Sequence, residues 1–440
     1  ENYQVVLDEP RFIDRGQVTN QVLKNTGAKI LEINSKTGLY PLYITYSLFR
    51  ERLKSPLEHR SDKAIWKETV ENNIFVVCRT KMAEKITRRT LVGDDKNIKV
   101  NVLTIEDMIK QLRSKPDDII SKILNKAEWN IQEGGKMKFD AIVGNPPYQL
   151  NDGGGIGDSA TPIYNYFVNL SKKLQPYYIS MIMPSRWMKG GKGLNKFRDE
   201  MINDNSLSKI FDYANAQVCF PNIHIDGGIC YFLWDKDHTG AVGYFYQDLD
   251  GYNYISNRSL KSNFSDTVIR DARQITIIEK TGSLSNEKFN NIVSTRNPYG
   301  LYADLFNSPD KYNNIIWTNE NDPASVKVYG VKGIKGGAKR VVGFIDNNCL
   351  VKSKGLKAYK LFFSKAYMTT STIPPEIILA KPNEVCTETF LQIGPFKAKN
   401  ETENCLKYIY TKFLRALLFF NRSSLNISTE TFNLIPLQDF

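Results

Sequence analysis

The sequence lacks the residues on which several common classes of protein depend. Its 440 residues include only six cysteines, scattered and without a Cys-x-x-Cys pair, and three histidines. No zinc-like cluster is visible, so no metal is expected. We expect the cysteines to be reduced, mostly buried thiols of a cytoplasmic protein. No apolar run approaches the roughly 18 residues that a transmembrane helix needs, and no signal peptide is recognisable, so no membrane partner is expected.

Positive charge and aromatic rings, by contrast, are plentiful. Lysine and arginine exceed aspartate and glutamate by 12, and the chain has 23 tyrosines and 23 phenylalanines. Such a charge predicts an anionic partner, most commonly nucleic acid, although a merely basic protein shows the same balance. The length favours two domains. Because the chain starts at Glu1 and stops at Phe440, we expect it to be a piece of a longer polypeptide.

One short stretch predicts a chemical site. It reads Phe139-Asp140-Ala141-Ile142-Val143-Gly144-Asn145-Pro146-Pro147-Tyr148. Ala141–Val143 is typical of a short buried strand in a parallel sheet, and the two prolines prevent a helix from following directly. The Asn145 amide and the Pro146 carbonyl then lie at the carboxyl edge of the sheet, where open α/β folds bind ligands. Paired acceptors suit an exocyclic amine, and Tyr148 offers a flat face to its ring, which predicts methyl transfer to a base.

Asn-Pro-Pro-Tyr after an apolar strand and an Asp resembles the catalytic motif of the S-adenosylmethionine-dependent DNA methyltransferases that act on adenine N6. The resemblance implies that Asn145 and Pro146 accept the amino hydrogens of an extruded adenine, within a turn that Pro147 keeps rigid. It implies that Tyr148 stacks on one face of this adenine and Phe220 on the other. For Phe220, core packing is the alternative. A structural turn is the alternative for the whole motif.

The segment Pro184-Ser185-Arg186-Trp187 narrows the resemblance to restriction–modification methylases of the type IIG-like group. Asn151–Gly157 is a glycine-dense loop, which we interpret as a lid beside the site rather than a linker.

A cofactor loop is predicted nearer the N-terminus. Ile30–Ile33 reads as a strand, and a tight turn with a glycine, Gly38, precedes a helix, so backbone N–H groups can approach a ligand closely. The resemblance implies that Glu32 receives the ammonium of S-adenosylmethionine, that Asn34 and Gly38 belong to its loop, and that the segment around Thr19 folds over its methionine end. For Thr19, a simple helix cap is the alternative.

Three parts of the sequence either depart from the family pattern or leave the role of a residue open. Lys36 stands where a second small residue is usual, and Cys78 and Arg79 occupy the place of the acid that normally binds the ribose. Either Glu84 or another carboxylate then replaces that acid, or the cofactor is bound more weakly than usual. Asp107 is the candidate acid near the cofactor's adenine amine, although a plain helix N-cap explains it equally well.

From about residue 236 the amino-acid composition becomes more polar, without long apolar runs. We therefore predict an α/β fold: a Rossmann-like doubly wound methyltransferase domain over 1–235 and a mixed α+β target-recognition domain over 236–440. The basic, glycine-rich segment Val331–Arg340 suits contact with phosphates, with a solvated surface loop as the alternative. Further lysines (Lys352, Lys354, Lys357, Lys360 and Lys365) continue this pattern, and Leu406–Phe420 is predicted to be helical.

Together these features predict a site-specific DNA adenine-N6 methyltransferase of a restriction–modification system, with its motifs in the gamma order. S-adenosylmethionine is the expected cofactor. Double-stranded DNA is the expected partner, together with a nuclease or helicase domain or subunit outside this chain. Two alternatives remain open at this point. One is a catalytically weak DNA-binding module, and the other is a methyltransferase acting on RNA or on a protein glutamine.

Overall fold

The computed structural model describes the chain from residue 25 onward with eight short internal gaps. The described ranges are 25–54, 60–131, 135–150, 161–263, 266–335, 337–351, 354–367, 372–422 and 426–440. Thr19, the loop 151–157 and Lys352 lie outside them. Two compact units divide the chain, Glu1–Lys261 and Ser262–Phe440. Within the described ranges, no helix is long and apolar enough to cross a membrane.

The first unit is built on one nine-stranded sheet. Its strands are β1 (Ile30–Ser35), β2 (Ile74–Cys78), β3 (Asn101–Thr104), β4 (Ala141–Gly144), β5 (Tyr178–Pro184), β6 (Leu207–Tyr213), β7 (Ile229–Asp235), β8 (Val242–Gln247) and β9 (Asn253–Arg258). Their spatial order is β3-β2-β1-β4-β5-β7-β6-β8-β9. Strands β1 to β5 are parallel, whereas β7 runs antiparallel to both neighbours. This is a doubly wound α/β sheet, and it confirms the predicted fold class.

Helices connect the parallel strands. They are α1 (Leu39–Leu53), α2 (Asp62–Asn73), α3 (Lys81–Val92), α4 (Met108–Ser114), α5 (Pro116–Leu124), α6 (Tyr164–Lys173) and α7 (Asn195–Ile202). Ser61 and Thr80 cap α2 and α3 by accepting a backbone N–H, as small hydroxyl residues do at helix starts. Strands β1 and β2 are buried at every position, because helices cover a parallel sheet on both faces.

The boundary between the units lies at Lys261 rather than at residue 235. Strands β8 and β9 extend the large sheet, since β8 pairs in parallel with β6 and antiparallel with β9. The predicted boundary came from the polar texture of this region. That texture arises because β9 alternates between exposed and half-buried residues, and Ile255 on β9 is 83% exposed.

Over its described residues, the second unit contains two three-stranded sheets and three α-helices. Its elements are α8 (Arg273–Gly282), β10 (Ser325–Ile334), β11 (Gly337–Asp346), β12 (Tyr359–Ser364), β13 (Ile378–Ala380), β14 (Glu384–Cys386), β15 (Phe390–Phe396), α9 (Lys399–Ile409) and α10 (Lys412–Phe420). The sheets have the orders β11-β10-β14 and β13-β12-β15. One apolar core is built from β12, β15, α9 and α10, and a second lies beneath the β10–β11 hairpin.

Two predictions for this unit were wrong. The helix expected over Leu406–Phe420 is broken, because Thr411 ends the first segment and caps α10 by accepting the Leu414 N–H. Lys360 is fully buried, so it cannot contact phosphate. Its ammonium instead donates to the carbonyls of Gly355, Leu356 and Ala358 at 2.9, 3.2 and 3.1 Å. Burial lowers the pKa of Lys360 to about 8.

We expect Gly228→Ala to destabilise the first unit strongly. Gly228 precedes β7 with φ at +85°, and a Cβ there would lie 2.1 Å from the Tyr213 carbonyl oxygen. A left-handed alanine with this overlap should lower the free energy of unfolding by about 2 kcal/mol or more. Gly243→Ala in β8 is the control, because its Cβ meets only ordinary contacts at 3.6 Å. Chemical denaturation of both variants would test this, and equal effects would contradict the assignment.

Candidate active site

The predicted catalytic turn lies where the central strands β1 and β4 end side by side. Ile33 pairs with Gly144 in a parallel register, so Asn34 and Asn145 leave the sheet together. A Cβ at Gly144 would lie 2.9 Å from the Ile33 carbonyl oxygen. Glycine at 144 is therefore required for this close approach of the two strand ends.

Asn34 links the two strand ends. It has φ at +76°, and the register of β1 with β2 shifts around it. Its side chain is only 2% exposed, and its Nδ2 donates to the Asn145 carbonyl oxygen at 3.1 Å. Asparagine tolerates this left-handed conformation better than most residues. The Asn34 side chain, which belongs to the predicted cofactor loop, thus fixes the backbone of the predicted catalytic turn.

The turn itself offers a restricted set of acceptors. Because the Asn145 carbonyl is taken, the free backbone acceptor is that of buried Pro146, which accepts no hydrogen bond from any described residue. Pro147 and the half-buried Asn145 side chain flank it. After the turn, the Tyr148 carbonyl accepts the Ile163 N–H at 3.1 Å, which ties the turn to the start of α6.

The Tyr148 hydroxyl is buried without a hydrogen-bond partner among the described residues, although its ring is half-buried. Burial, with smaller contributions from Tyr40, Cys230 and Cys219, raises the pKa of this hydroxyl. A buried polar atom left unpaired costs free energy, so it marks a place where a ligand or water completes the site.

Phe220 approaches the same region. It follows a short 3-10 turn, Ala216–Val218, and is half-buried. The adjacent Cys219 acts electrostatically on both Tyr40 and Tyr148, which places this segment beside the catalytic turn. Close pairs of aromatic rings in the described chain do not include Tyr148 with Phe220. The stacking role of Phe220 therefore stays a prediction.

Glu32 is the most unusual charged residue of the edge. It lies on β1 with 3% of its surface exposed, and its Oε2 has no partner among the described residues. Burial raises the pKa of its carboxyl to about 8, against smaller opposing effects of a hydrogen bond from Ser35 and the charge of Lys36. A buried carboxyl with a free oxygen suits a cationic ligand group.

The cofactor loop ends at Gly38, the residue before α1. Its φ is +77°, and a Cβ would lie 2.9 Å from the Thr87 Cα of α3. Only glycine fits this contact, which brings the N-terminus of α1 close to the end of β1. Tyr40, in the first turn of α1, lies close to the Asn145 side chain: burial and the charge of Glu32 raise the pKa of the Tyr40 hydroxyl, and the Asn145 amide partly opposes this. Sequence reasoning missed this contact, since no pattern links the first turn of α1 to residue 145.

The end of β2 differs from the usual ribose site. Cys78 is fully buried, and burial raises the pKa of its thiol to about 12. Glu84 accepts from the Thr104 hydroxyl at 2.6 Å and pairs with Lys81 at 3.2 Å and Arg88 at 3.3 Å. The carboxylate considered as a replacement is thus already engaged within the first unit.

Asp107 precedes α4 with φ at +50°, is exposed, and makes no capping hydrogen bond through its side chain. Asp107 therefore occupies the N-cap position that the alternative predicted, although its side chain does not cap the helix, and its cofactor role stays a prediction. The role of Thr19 falls outside the described residues.

The first unit thus presents an Asn-Pro-Pro-Tyr turn at the carboxyl edge of a doubly wound sheet. Residues 72–220 match the family model of the Eco57I restriction-modification methylases. A segment of 110 residues is 40% identical to an uncharacterized adenine-specific methylase of Mycoplasma pneumoniae, and the match covers 24% of this chain and 26% of that protein. The predicted resemblance to restriction–modification methylases is thereby confirmed.

Solved structures include similar chains at low identity. The type IIL restriction-modification enzyme MmeI, in complex with DNA, is 8% identical with a TM-score of 0.49, over 90% of this chain and 62% of that one. The type IIG restriction endonuclease BpuSI is 10% identical with a TM-score of 0.39, over 94% and 56%. The chain thus spans about a quarter of the curated relative and under two thirds of these solved chains.

We expect Glu32→Gln to change stability in a pH-dependent way. The unfolded carboxyl ionises near pH 4.5 and the folded one near pH 8. Within this window the folded state binds more protons, so the stability of the unaltered chain falls as pH rises. The variant lacks this loss and should gain about 2–4 kcal/mol over the unaltered chain between pH 5 and 8.5. Denaturation at both pH values would test this, and a pH-independent difference would contradict the buried, raised-pKa carboxyl.

Proposed function

We propose that this chain is a site-specific DNA adenine-N6 methyltransferase of a restriction–modification system, working in the cytoplasm, where its DNA substrate lies. The observation that carries the proposal is a group of unpaired buried atoms at one sheet edge. Glu32 Oε2, Asn34 Oδ1 and the Tyr148 hydroxyl all lack partners among the described residues. Folding normally satisfies such atoms, so their concentration around the Asn-Pro-Pro-Tyr turn indicates a site completed by ligands.

The residues of this edge fit S-adenosylmethionine at one side. Glu32 is placed to receive an ammonium group, because its free carboxylate oxygen is buried and a bound cation would favour its ionised form. Gly38 allows backbone N–H groups of α1 to approach a ligand. We assign Asn34 and Gly38 to the same loop, and Asp107 and Thr19 remain proposed contacts. S-adenosylmethionine supplies a methyl group activated on a sulfonium.

The other side fits a planar base with an exocyclic amine. In the proposed reaction, the Asn145 side-chain oxygen and the Pro146 carbonyl accept the two amino hydrogens, which leaves the nitrogen lone pair free to attack. Tyr148 and Phe220 hold the ring between them, as enzymes acting on an extruded base require. No strong base is needed, because the methylated amine loses its proton readily. The 40% identity to an adenine-specific methylase favours adenine over other amines.

The second unit is the proposed target-recognition region. The tip of the β10–β11 hairpin is exposed and carries Lys332, Lys335 and Lys339. Lys332 and Lys339 are directly opposite in the antiparallel register. Like charges opposite one another destabilise a hairpin, so this pair is better explained by an anionic partner. We propose that the tip contacts DNA phosphates and that a nuclease or helicase part lies outside this chain.

The decisive experiment measures transfer of labelled methyl from S-adenosylmethionine to unmethylated genomic DNA, which contains every short recognition sequence. We expect the label in N6-methyladenine, and we expect Asn145→Ala to lower the rate by about 10²–10³-fold. Asn97→Ala, an exposed residue before β3, is the matched control and should retain full activity.

Two other outcomes would redirect the proposal. Label in RNA or protein but not in DNA would overturn the DNA substrate. DNA binding without any transfer would favour a recognition module of a larger enzyme, as the engaged Glu84 would allow.

A Lys339→Glu exchange should separate hairpin stability from DNA binding. Opposite Lys332 it replaces repulsion by attraction, so the free energy of unfolding should rise by about 0.2–1 kcal/mol. DNA affinity should nevertheless fall, because one phosphate contact is lost and one repulsion added. Lys407→Glu on α9 makes the same change of charge at an exposed site and should leave DNA affinity nearly unchanged. Equal losses of affinity in both variants would argue against the hairpin.

A further inference from the structure

A second basic element lies in the first unit, at the same edge as the catalytic turn. β5 runs parallel to β4, with Met181 opposite Gly144, and continues to Pro184. At 3.3 Å per residue, its end therefore rises about 10 Å beyond the end of β4. The segment from Ser185 to Leu194, here called the β5 loop, starts from that point.

The β5 loop has a fixed and unusual backbone. Trp187 and Met188 anchor it in the core. Four successive residues then have positive φ: Gly190 at 77°, Gly191 at 76°, Lys192 at 47° and Gly193 at 82°.

Two side chains of α7 hold this backbone in place. The Asn195 side chain accepts the Gly191 N–H at 2.7 Å, and Arg198 donates to the Lys189 carbonyl at 3.1 Å. These contacts hold Lys192 in a conformation that costs a lysine about 1 kcal/mol or more. Strain of this kind is retained where the position of a side chain is used.

Two cations of the loop lack an acidic partner. Within the described ranges, no carboxylate lies at ion-pair distance from Arg186 or Lys192. By contrast, the neighbouring Lys172 and Arg198 pair with Asp204 at 2.6 Å and Asp199 at 2.9 Å. Burial, and secondly the charge of Arg186, lowers the pKa of Lys192, so the two cations repel each other.

Arg186 also connects the loop to the catalytic turn. Its charge acts on Tyr164, the first residue of α6. The preceding residue, Ile163, is hydrogen-bonded to the Tyr148 carbonyl. An anion held by the loop would therefore lie beside the turn that is proposed to receive the base.

The geometry points to the β5 loop as a phosphate site, in which Arg186 and Lys192 bind the phosphodiester backbone of the nucleic-acid strand that carries the target base. The inference rests on the proposed function and adds to it a contact made by the methyltransferase unit itself. Such a contact fixes the register of the strand, while the base is held separately by the catalytic turn.

The test measures how DNA affinity depends on salt concentration. Each phosphate contact contributes about 0.9 to the slope of log affinity against log salt. Arg186→Gln combined with Lys192→Gln should therefore reduce the slope by about 1.5–2. Lys136→Gln combined with Lys138→Gln is the matched control, because these exposed lysines precede β4 at the opposite edge of the sheet. The control should keep the original slope.

A second variant protects the test against misfolding. Lys192→Gly removes one charge and suits the left-handed backbone, so it should keep or raise the unfolding midpoint while lowering the slope by about 0.9. An unchanged slope in a folded variant, with DNA binding and methylation intact in the unaltered chain, would overturn this inference alone. An unaltered chain that binds no DNA would overturn the proposed function as well.

Discussion

The close parallel approach of β1 and β4 is the constraint on which the candidate site depends. Gly144 permits it, since any Cβ would collide with the Ile33 carbonyl. The Asn34 amide then spans the two strand ends and donates to the Asn145 carbonyl. A single buried hydrogen bond of this kind contributes about 1 kcal/mol to stability. Its larger effect is positional, because it commits one backbone acceptor and leaves the Pro146 carbonyl and the Asn145 side chain for a ligand.

At the same edge of the sheet, burying polar groups costs free energy that folding alone does not offset. Burying the Glu32 carboxyl displaces its pKa to about 8, and the Tyr148 hydroxyl and Asn34 oxygen are buried without partners. A sheet edge designed only for stability would place apolar side chains there. A ligand that supplies a cation and hydrogen-bond donors would relieve these costs on binding. Ligand binding and local stability are therefore coupled at this edge.

Local sequence predicted the parts of the fold that follow from local physics. Apolar runs such as Ala141–Val143 define buried parallel strands, and the double proline marks the end of β4 in the structure as it does in the sequence. Strand β9 was not predicted, because a polar edge strand lacks an apolar run, and β8, which pairs with it, was therefore not assigned to the large sheet. Lys360 was read as a surface cation, since a sequence does not reveal three carbonyls converging on one ammonium.

The candidate site shows the same contrast between what local sequence predicts and what it does not. Residue types at strand ends predicted Asn145 and Glu32 as candidate site residues, because a candidate needs only a suitable side chain at a suitable position in the sequence. Contacts between distant residues were out of reach: Tyr40 with Asn145, and Glu84 with Thr104 across α3 and β3. The second contact matters most for function, since it removes the nearest substitute for the ribose-binding acid. In the proposed function the cofactor is therefore expected to be held chiefly by its methionine end, for which the buried Glu32 is the candidate partner.

Among the described residues, positive charges that lack an acidic partner occur in both units, and in each unit they indicate the same kind of ligand. In the first unit, no carboxylate lies at ion-pair distance from Arg186 or Lys192 within the part of the chain that the structure describes. In the second unit Lys332 opposes Lys339. Each arrangement lowers the stability of the unbound chain, and each is relieved by the same ligand, a phosphate. Because a nucleic-acid strand presents phosphates at regular spacing, one polymer can satisfy both units.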